Sequence, residues 1–397
     1  MGIKSIFRHL FGFLYTIFCF VILLPVLCIL AYSSRLIRKS KIGIGPEPLI
    51  NNVYHKIALK SQGYDVETFV HRVYFITNEF DIRFDHYWKP IRLIASFCYV
   101  IFNYSCIYIY FTGGPLGHSK LKKFEPWLLL KARVKKVLMP YGADVQDVLR
   151  SNNLLYRHYL FIDYPKFQKK QRQAIIERIE RWVKNGTYII SGCDWVFYLP
   201  HWDELMLGHF SIDLDKFSDS SKDDFPSSFS SSRPLRLLHA PNHRTIKGSR
   251  FFLEAVEELK QEGKYIQLDI IEKMPNSVVL KKISEADVIL DQLVIGWYAM
   301  FALEALASGK PVVCYLDPEL IKLYEYAGLL IPEELPIINT DFRSIKRIIR
   351  EIYEGIIDVS AYKRKTRTFV QDHHSIEYVG GVFAKINEKL GLKKQPC

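Results

Sequence analysis

Residues 287–311 read DVILDQLVIGWYAMFALEALASGKP. Val288 to Leu290 is a short apolar run of the kind that a strand covered on both faces requires, and Gly296 breaks the chain before a helical stretch begins. Gly309 and Pro311 end that helix, and Val312–Tyr315 starts a new apolar run. Strand, glycine turn, helix and strand in immediate succession form a β-α-β unit, which demands parallel pairing.

Upstream, residues 235–249 read LRLLHAPNHRTIKGS, a strand over Leu235–His239 that runs into a polar turn. A helix over Lys247–Gln261 and a strand over Ile266–Ile271 follow, so this half predicts a Rossmann-like sheet. The first half repeats the alternation. Residues 41–48 (KIGIGPEP) form a strand and glycine-containing loop, Leu49–Lys60 a helix stopped at Gly63, and Val66–Val70 a strand. Further strands are expected at Cys106–Phe111, Lys136–Met139 and Tyr188–Ile190, separated by charged helical segments such as Lys169–Lys184.

Between the halves, residues 217–234 (FSDSSKDDFPSSFSSSRP) have the composition of a flexible linker. The expected organisation is an anchor with basic flanks over 1–40, a first lobe over 41–216, this linker, and a second lobe over 235–397 with Lys- and Arg-rich helices from Ile345 onward. The fold class is α/β, with two Rossmann-like lobes facing a central cleft.

Gly12–Tyr32 (GFLYTIFCFVILLPVLCILAY) is uncharged and long enough to cross a hydrocarbon core of about 30 Å as a helix. A cleaved signal peptide and a buried helix are its alternatives. Lys4 and Arg8 precede it, and the heavier cluster Arg35, Arg38, Lys39 and Lys41 follows it, which predicts a single N-terminal membrane helix with the body on the cytoplasmic side. A second apolar stretch, Ile91–Phe111, is interrupted by Asn103 and Ser105 and reads as a helix followed by a strand.

The 397 residues carry 54 Lys and Arg against 42 Asp and Glu, a formal charge of +12 that favours anionic partners. The basic residues are dispersed and no nucleic-acid-binding motif is present, which points to a membrane surface or a charged small molecule instead of nucleic acid. Seven cysteines without metal-ligand spacing predict a reducing compartment and no structural zinc.

The chemistry concentrates in the second half. His239, Pro241, Asn242, Arg244, Lys247 and Gly248 lie where a strand turns into a helix, so backbone N–H groups and two cations converge on a site for a diphosphate. Gly296, with Trp297 and Tyr298 behind it, lets the backbone approach a phosphate, and Glu304 stands amid apolar neighbours, where a ribose diol would satisfy it. In the first half the loops containing Gly43, Gly45, Gly113 and Gly114 are expected at the cleft, with Asp144 and His118 as candidate general bases.

The two segments together resemble the donor lobe of the group 1 glycosyltransferases, a large GT-B family, over residues 235–316. The resemblance places Arg244 and Lys247 at the donor diphosphate and Glu304 at the ribose, with Gly309, Pro311 and Val312 completing the match; Gly296 stands where the family commonly has a glutamate that touches the transferred sugar. It implies a metal-independent glycosyltransferase with no cofactor, a nucleotide-sugar donor, and a glycan or lipid-linked acceptor at the membrane. A sugar-nucleotide 2-epimerase and a non-catalytic membrane scaffold of the same fold are the rival readings.

Overall fold

The run Tyr104–Tyr110 (YSCIYIY) has apolar or aromatic residues on both of its faces, and it forms a strand buried over nearly its whole length. The computed structural model describes residues 12–73, 79–147 and 149–395. They fall into two compact units. The first holds the described residues up to Val145, Ala174–Ile190, and those from Gly380 onward; the second holds Gln146–Gln173 and Ser191–Val379.

The first unit contains β1 (Lys41–Ile44), β2 (Val66–Val70), β3 (Ile82–Arg83), β4 (Tyr104–Tyr110), β5 (Lys135–Met139) and β6 (Tyr188–Ser191). Their order is β3-β2-β1-β4-β5-β6 and every pairing is parallel. Winding reverses between β1 and β4, where Ile44 lies opposite Tyr108. A crevice outside the carboxyl ends of two such strands is where open α/β sheets bind ligands. The apolar stretch after Ile91 resolves into the helix Lys89–Asn103 and β4, as expected.

The second unit contains β7 (Glu204–Leu205), β8 (Leu235–His239), β9 (Ile266–Ile270), β10 (Val288–Leu290), β11 (Val312–Cys314) and β12 (Ile337–Asn339). Five of these form a sheet in the order β12-β11-β10-β8-β9, again all parallel. Here the reversal falls between β8 and β10, with Leu290 opposite His239.

Three features differ from the sequence expectation. The second-half helix starts at Ser249, because Arg244–Lys247 forms a separate turn closed by Gly248. The helix Leu154–Asp163 belongs to the second unit, where Tyr156, Tyr159 and Leu160 pack with Ile246 and Val294. The Ser-rich stretch expected to link the lobes lies wholly inside the second unit and packs there. Its Phe225 and Phe229 join the apolar core, Lys363 Nζ donates to the Asp223 carbonyl at 2.7 Å, and Ser220 Oγ donates to the Ser308 carbonyl at 2.6 Å. Two aromatic side chains and those backbone partners supply the burial that its composition denies it. Gly309 is the counterpart: a Cβ there would sit 2.1 Å from the Ser221 nitrogen.

The chain is helical from Gly12 to Leu36, and this is the one described helix long and apolar enough to cross a membrane. Phe13, Val21 and Ile29 are 64%, 67% and 66% exposed, so it is not a core helix. One side rests on the helix Glu125–Lys131, and Phe20 meets Phe124 edge to face at 5.9 Å. Lys39 Nζ donates to the carbonyls of Ile101 (3.0 Å) and Ala132 (2.6 Å), which fastens the basic flank to the first unit. Lys4 and Arg8 of the other flank lie outside the described residues.

Candidate functional site

In the second unit the switch point is built from the ends of β8 and β10. His239 closes β8, is fully buried, and has its imidazole pushed down to about 4 by burial, so it is neutral. Its Nδ1 lies 2.7 Å from the Leu290 carbonyl and its Nε2 2.8 Å from Ser249 Oγ. A carbonyl only accepts, so Nδ1 carries the proton and Nε2 accepts from the serine hydroxyl. His239 therefore clamps the two strands and the following helix together; its ring nitrogens are already partnered within the protein.

Beside it, Lys247 Nζ and Asp291 Oδ1 form a buried ion pair at 2.8 Å. Gln292, which the sequence did not single out, organises the next turn. Its Oε1 accepts from the N–H groups of Val294 (2.8 Å) and Ile295 (2.6 Å), and its Nε2 donates to the carbonyl of Tyr315 (2.8 Å). Asn153 holds the same loop by donating to the Val294 carbonyl at 2.6 Å. Gly296 follows, and the helix Met300–Ala307 then begins behind Ala299 with no side chain capping its first N–H groups. A helix start whose N-cap residue has no side-chain acceptor, with the positive end of the helix dipole, favours an anion.

Arg244 is exposed and its guanidinium forks onto Glu272, with Nη2 to Oε2 at 2.7 Å. Pro241 and Asn242 form the turn before it, Pro241 buried and Asn242 exposed. Glu304 is buried on the Met300–Ala307 helix, takes a hydrogen bond from Asn276 Nδ2 at 2.8 Å, and has its carboxyl raised to about 7 by burial. Trp297 and Tyr298 lie behind the Gly296 turn. Both are fully buried; Trp297 Nε1 donates to the Leu207 carbonyl at 2.8 Å, and Tyr298 Oη pairs with His374 Nε2 at 2.9 Å. Their polar atoms serve the core rather than a donor.

In the first unit, β1 runs into Gly45, cis-Pro46 and Glu47. A Cβ on Gly45 would lie 1.9 Å from the Phe69 carbonyl oxygen, so only glycine lets the loop leave the sheet here. Gly43 lies earlier in β1, under the Tyr104 ring. Gly113 and Gly114 follow β4 in a loop tied down by the fully buried Glu125, which accepts from the N–H groups of Gly114 (3.2 Å) and Leu116 (2.6 Å). Asp144 does similar work. It is fully buried and accepts from the N–H groups of Phe111 (3.1 Å), Tyr141 (2.9 Å) and Gly142 (3.0 Å). Burial raises its carboxyl to about 7, and both oxygens are committed to backbone N–H groups.

The polar pair of this crevice is the exposed His118 and the half-buried Glu47, with Nε2 and Oε1 3.4 Å apart. Burial alone would raise Glu47, yet the hydrogen bond from His118, with a further one from Thr112, holds its carboxyl below the ordinary range. Asn52 fixes the loop by donating to the Glu47 carbonyl at 2.6 Å, and Tyr110 Oη donates to Asn52 Oδ1 at 2.8 Å. Among the described residues no group of His, Cys, Asp and Glu is arranged to hold a metal ion.

Solved structures share this architecture. Sucrose-phosphate synthase from Thermosynechococcus elongatus aligns with 89% of this chain and 99% of its own, with a TM-score of 0.55 and 13% identity. The Anabaena HepE protein, solved in complex with UDP-glucose, aligns over 89% and 100%, with a TM-score of 0.53 and 10% identity. The chain therefore has the fold of the GT-B glycosyltransferases, two Rossmann-like α/β units preceded by an apolar helix. No family model matches the sequence, and no curated protein matches it.

Proposed function

We propose that this protein is a glycosyltransferase that moves a sugar from a nucleotide-diphosphate donor to a hydroxyl of a glycan or lipid-linked acceptor at a membrane. The observation that carries the reading is the switch point of the second unit, where Lys247 and an uncapped helix start stand at the ends of β8 and β10. In this reading Arg244 and Lys247 take the diphosphate and Glu304 takes the ribose hydroxyls. The bond from the sugar C1 to the diphosphate breaks, a bond from C1 to the acceptor oxygen forms, and the nucleoside diphosphate leaves with its charge held by the two cations. His118, backed by Glu47, is the group assigned to accept the acceptor's proton. The exposed apolar helix Gly12–Leu36 is assigned to the bilayer, with the basic flank from Arg35 to Lys41 and the body on the cytoplasmic side.

A panel of sugar nucleotides with the full-length protein tests this. Binding and transfer that disappear in Lys247→Ala and weaken in Glu304→Ala are expected. His118→Ala should lower kcat and leave donor affinity intact. Binding without turnover in the presence of any hydroxyl acceptor would favour the scaffold, and epimerisation of the free sugar nucleotide would favour the epimerase.

A further inference from the structure

The first unit contains a cavity of about 560 Å³ that is lined in part by Gly117 and His118 of the loop after β4 and extends away from Glu47 to a cluster of cations. One wall is a face of the helix Pro165–Val183 and the residue just beyond it, where Arg178, Arg181 and Lys184 recur at intervals of three. The opposite wall is the segment after the Gly113–Gly117 loop, with Lys122 and Lys123. Against these five cations stand Glu177 and Glu180. Glu180 is engaged by Lys184 at 3.2 Å, and Lys123 reaches Glu177 only at 3.8 Å.

An ordinary solvated basic face keeps its charges apart and wet. Here they are crowded, and two of the five, Arg178 and Arg181, are half-buried, with Arg178 donating to the Asp144 carbonyl at 2.9 Å. Arg181 Nε is buried and has no hydrogen-bond partner. Burial, and after it the like charges of Arg181 and Arg178, hold the Lys122 ammonium below its ordinary range. The nearby buried carboxylate, Glu125, is already spent on the N–H groups of Gly114 and Leu116. Crowded guanidinium and ammonium groups around one cavity gain most from a compact polyanion, which supplies several acceptor oxygens at once.

We infer that this cavity binds the phosphate or diphosphate group of a membrane-borne molecule, and, resting on the transferase reading, that the acceptor is a lipid-linked phosphate or diphosphate. Lys122 and Lys123 lead directly into Phe124, the ring on which Phe20 of the apolar helix rests at 5.9 Å. A headgroup at the bilayer surface beside that helix has the charge and the position the cavity lacks a partner for.

The experiment uses full-length protein in nanodiscs of zwitterionic lipid, titrated with inorganic pyrophosphate, and the same discs containing phosphatidic acid. Pyrophosphate is expected to bind, Lys122→Glu and Arg181→Gln each to weaken it about ten- to a hundredfold, and phosphatidic acid to compete with it. Lys122 is exposed, so its variant reports on the cavity even if Arg181→Gln misfolds. Competition by phosphatidic acid supports a membrane source; pyrophosphate binding sensitive to both variants but indifferent to phosphatidic acid overturns the lipid assignment. Pyrophosphate binding that neither variant weakens overturns the site. Donor-nucleotide binding measured in parallel separates the two readings: if it is intact while the cavity binds nothing, the inference alone fails; if it is absent while the cavity responds to Lys122→Glu, the transferase reading fails and the anion site stands.

Discussion

The two switch points are made by the same topology and held by different chemistry. In the first unit the loops after β4 and β5 hang from buried carboxylates, Glu125 and Asp144, each accepting backbone N–H groups. In the second unit the corresponding work falls to neutral groups, the His239 imidazole and the Gln292 amide, and the one carboxylate at the strand ends, Asp291, is matched by Lys247. A buried negative charge beside an anion site would repel its ligand through a medium of low dielectric. Neutral ties at β8 and β10 leave one balanced pair, Lys247 with Asp291, at those strand ends, whereas the first unit ties its loops with buried carboxylates.

The largest test of that contrast is Lys247→Ala, which leaves Asp291 buried and unpaired and should cost about 3–5 kcal/mol in chemical unfolding. Replacing both partners, Lys247→Met with Asp291→Leu, should recover much of that stability without recovering nucleotide binding. If the double variant binds nucleotide as the wild type does, the lysine is only a structural partner. Next comes Asp144→Asn, which orphans one or more backbone N–H groups and should cost about 1–3 kcal/mol. Transfer per folded molecule should change little; a loss of about a hundredfold or more at undiminished stability would identify Asp144 as the base.

Glu304 sharpens the comparison through pH. Its carboxyl sits near its ordinary 4.5 in the unfolded chain and is raised to about 7 in the folded one. Between those values the unfolded chain has lost a proton that the folded chain keeps, so this group's contribution makes stability fall as pH rises through the window and level off above it. Glu304→Gln should lack that slope and gain about 1–3 kcal/mol at pH 8 relative to wild type, while nucleotide affinity falls. A variant that is stabilised and binds as well as wild type removes Glu304 from the ribose. Smallest in stability is Arg244→Ala: its pairing with Glu272 is on the surface, so the unfolding midpoint should not move, yet donor affinity should drop about tenfold.

Elements with strong local signals were legible before any coordinates. Val66–Val70, Leu235–His239 and Val288–Leu290 are bounded by turn residues and have a single reading, and they appear where expected. The helix Leu154–Asp163 packs with Ile246 and Val294, which are distant in sequence, so no local pattern reveals its place in the second unit. Trp297 and Tyr298 follow a glycine turn, and an aromatic pair there reads identically whether it faces a ligand or the core. Glu47 and Gln292 carried no local pattern at all; their roles exist only once β1 and β10 place them beside their partners. The diphosphate assignments of Arg244 and Lys247 and the ribose assignment of Glu304 are motif readings, and the structure adds their present partners: Glu272, Asp291 and Asn276.

Lys39, anchored on the carbonyls of Ile101 and Ala132, and Phe20, seated on Phe124, join the apolar helix to the first unit without a slack tether. If that helix lies in a bilayer, the first unit's loops meet their substrate by lateral search in two dimensions, set by the abundance of the lipid in the leaflet. A water-soluble donor is met in three. The rate of the whole reaction would then respond to membrane composition and to bulk donor concentration as two independent variables.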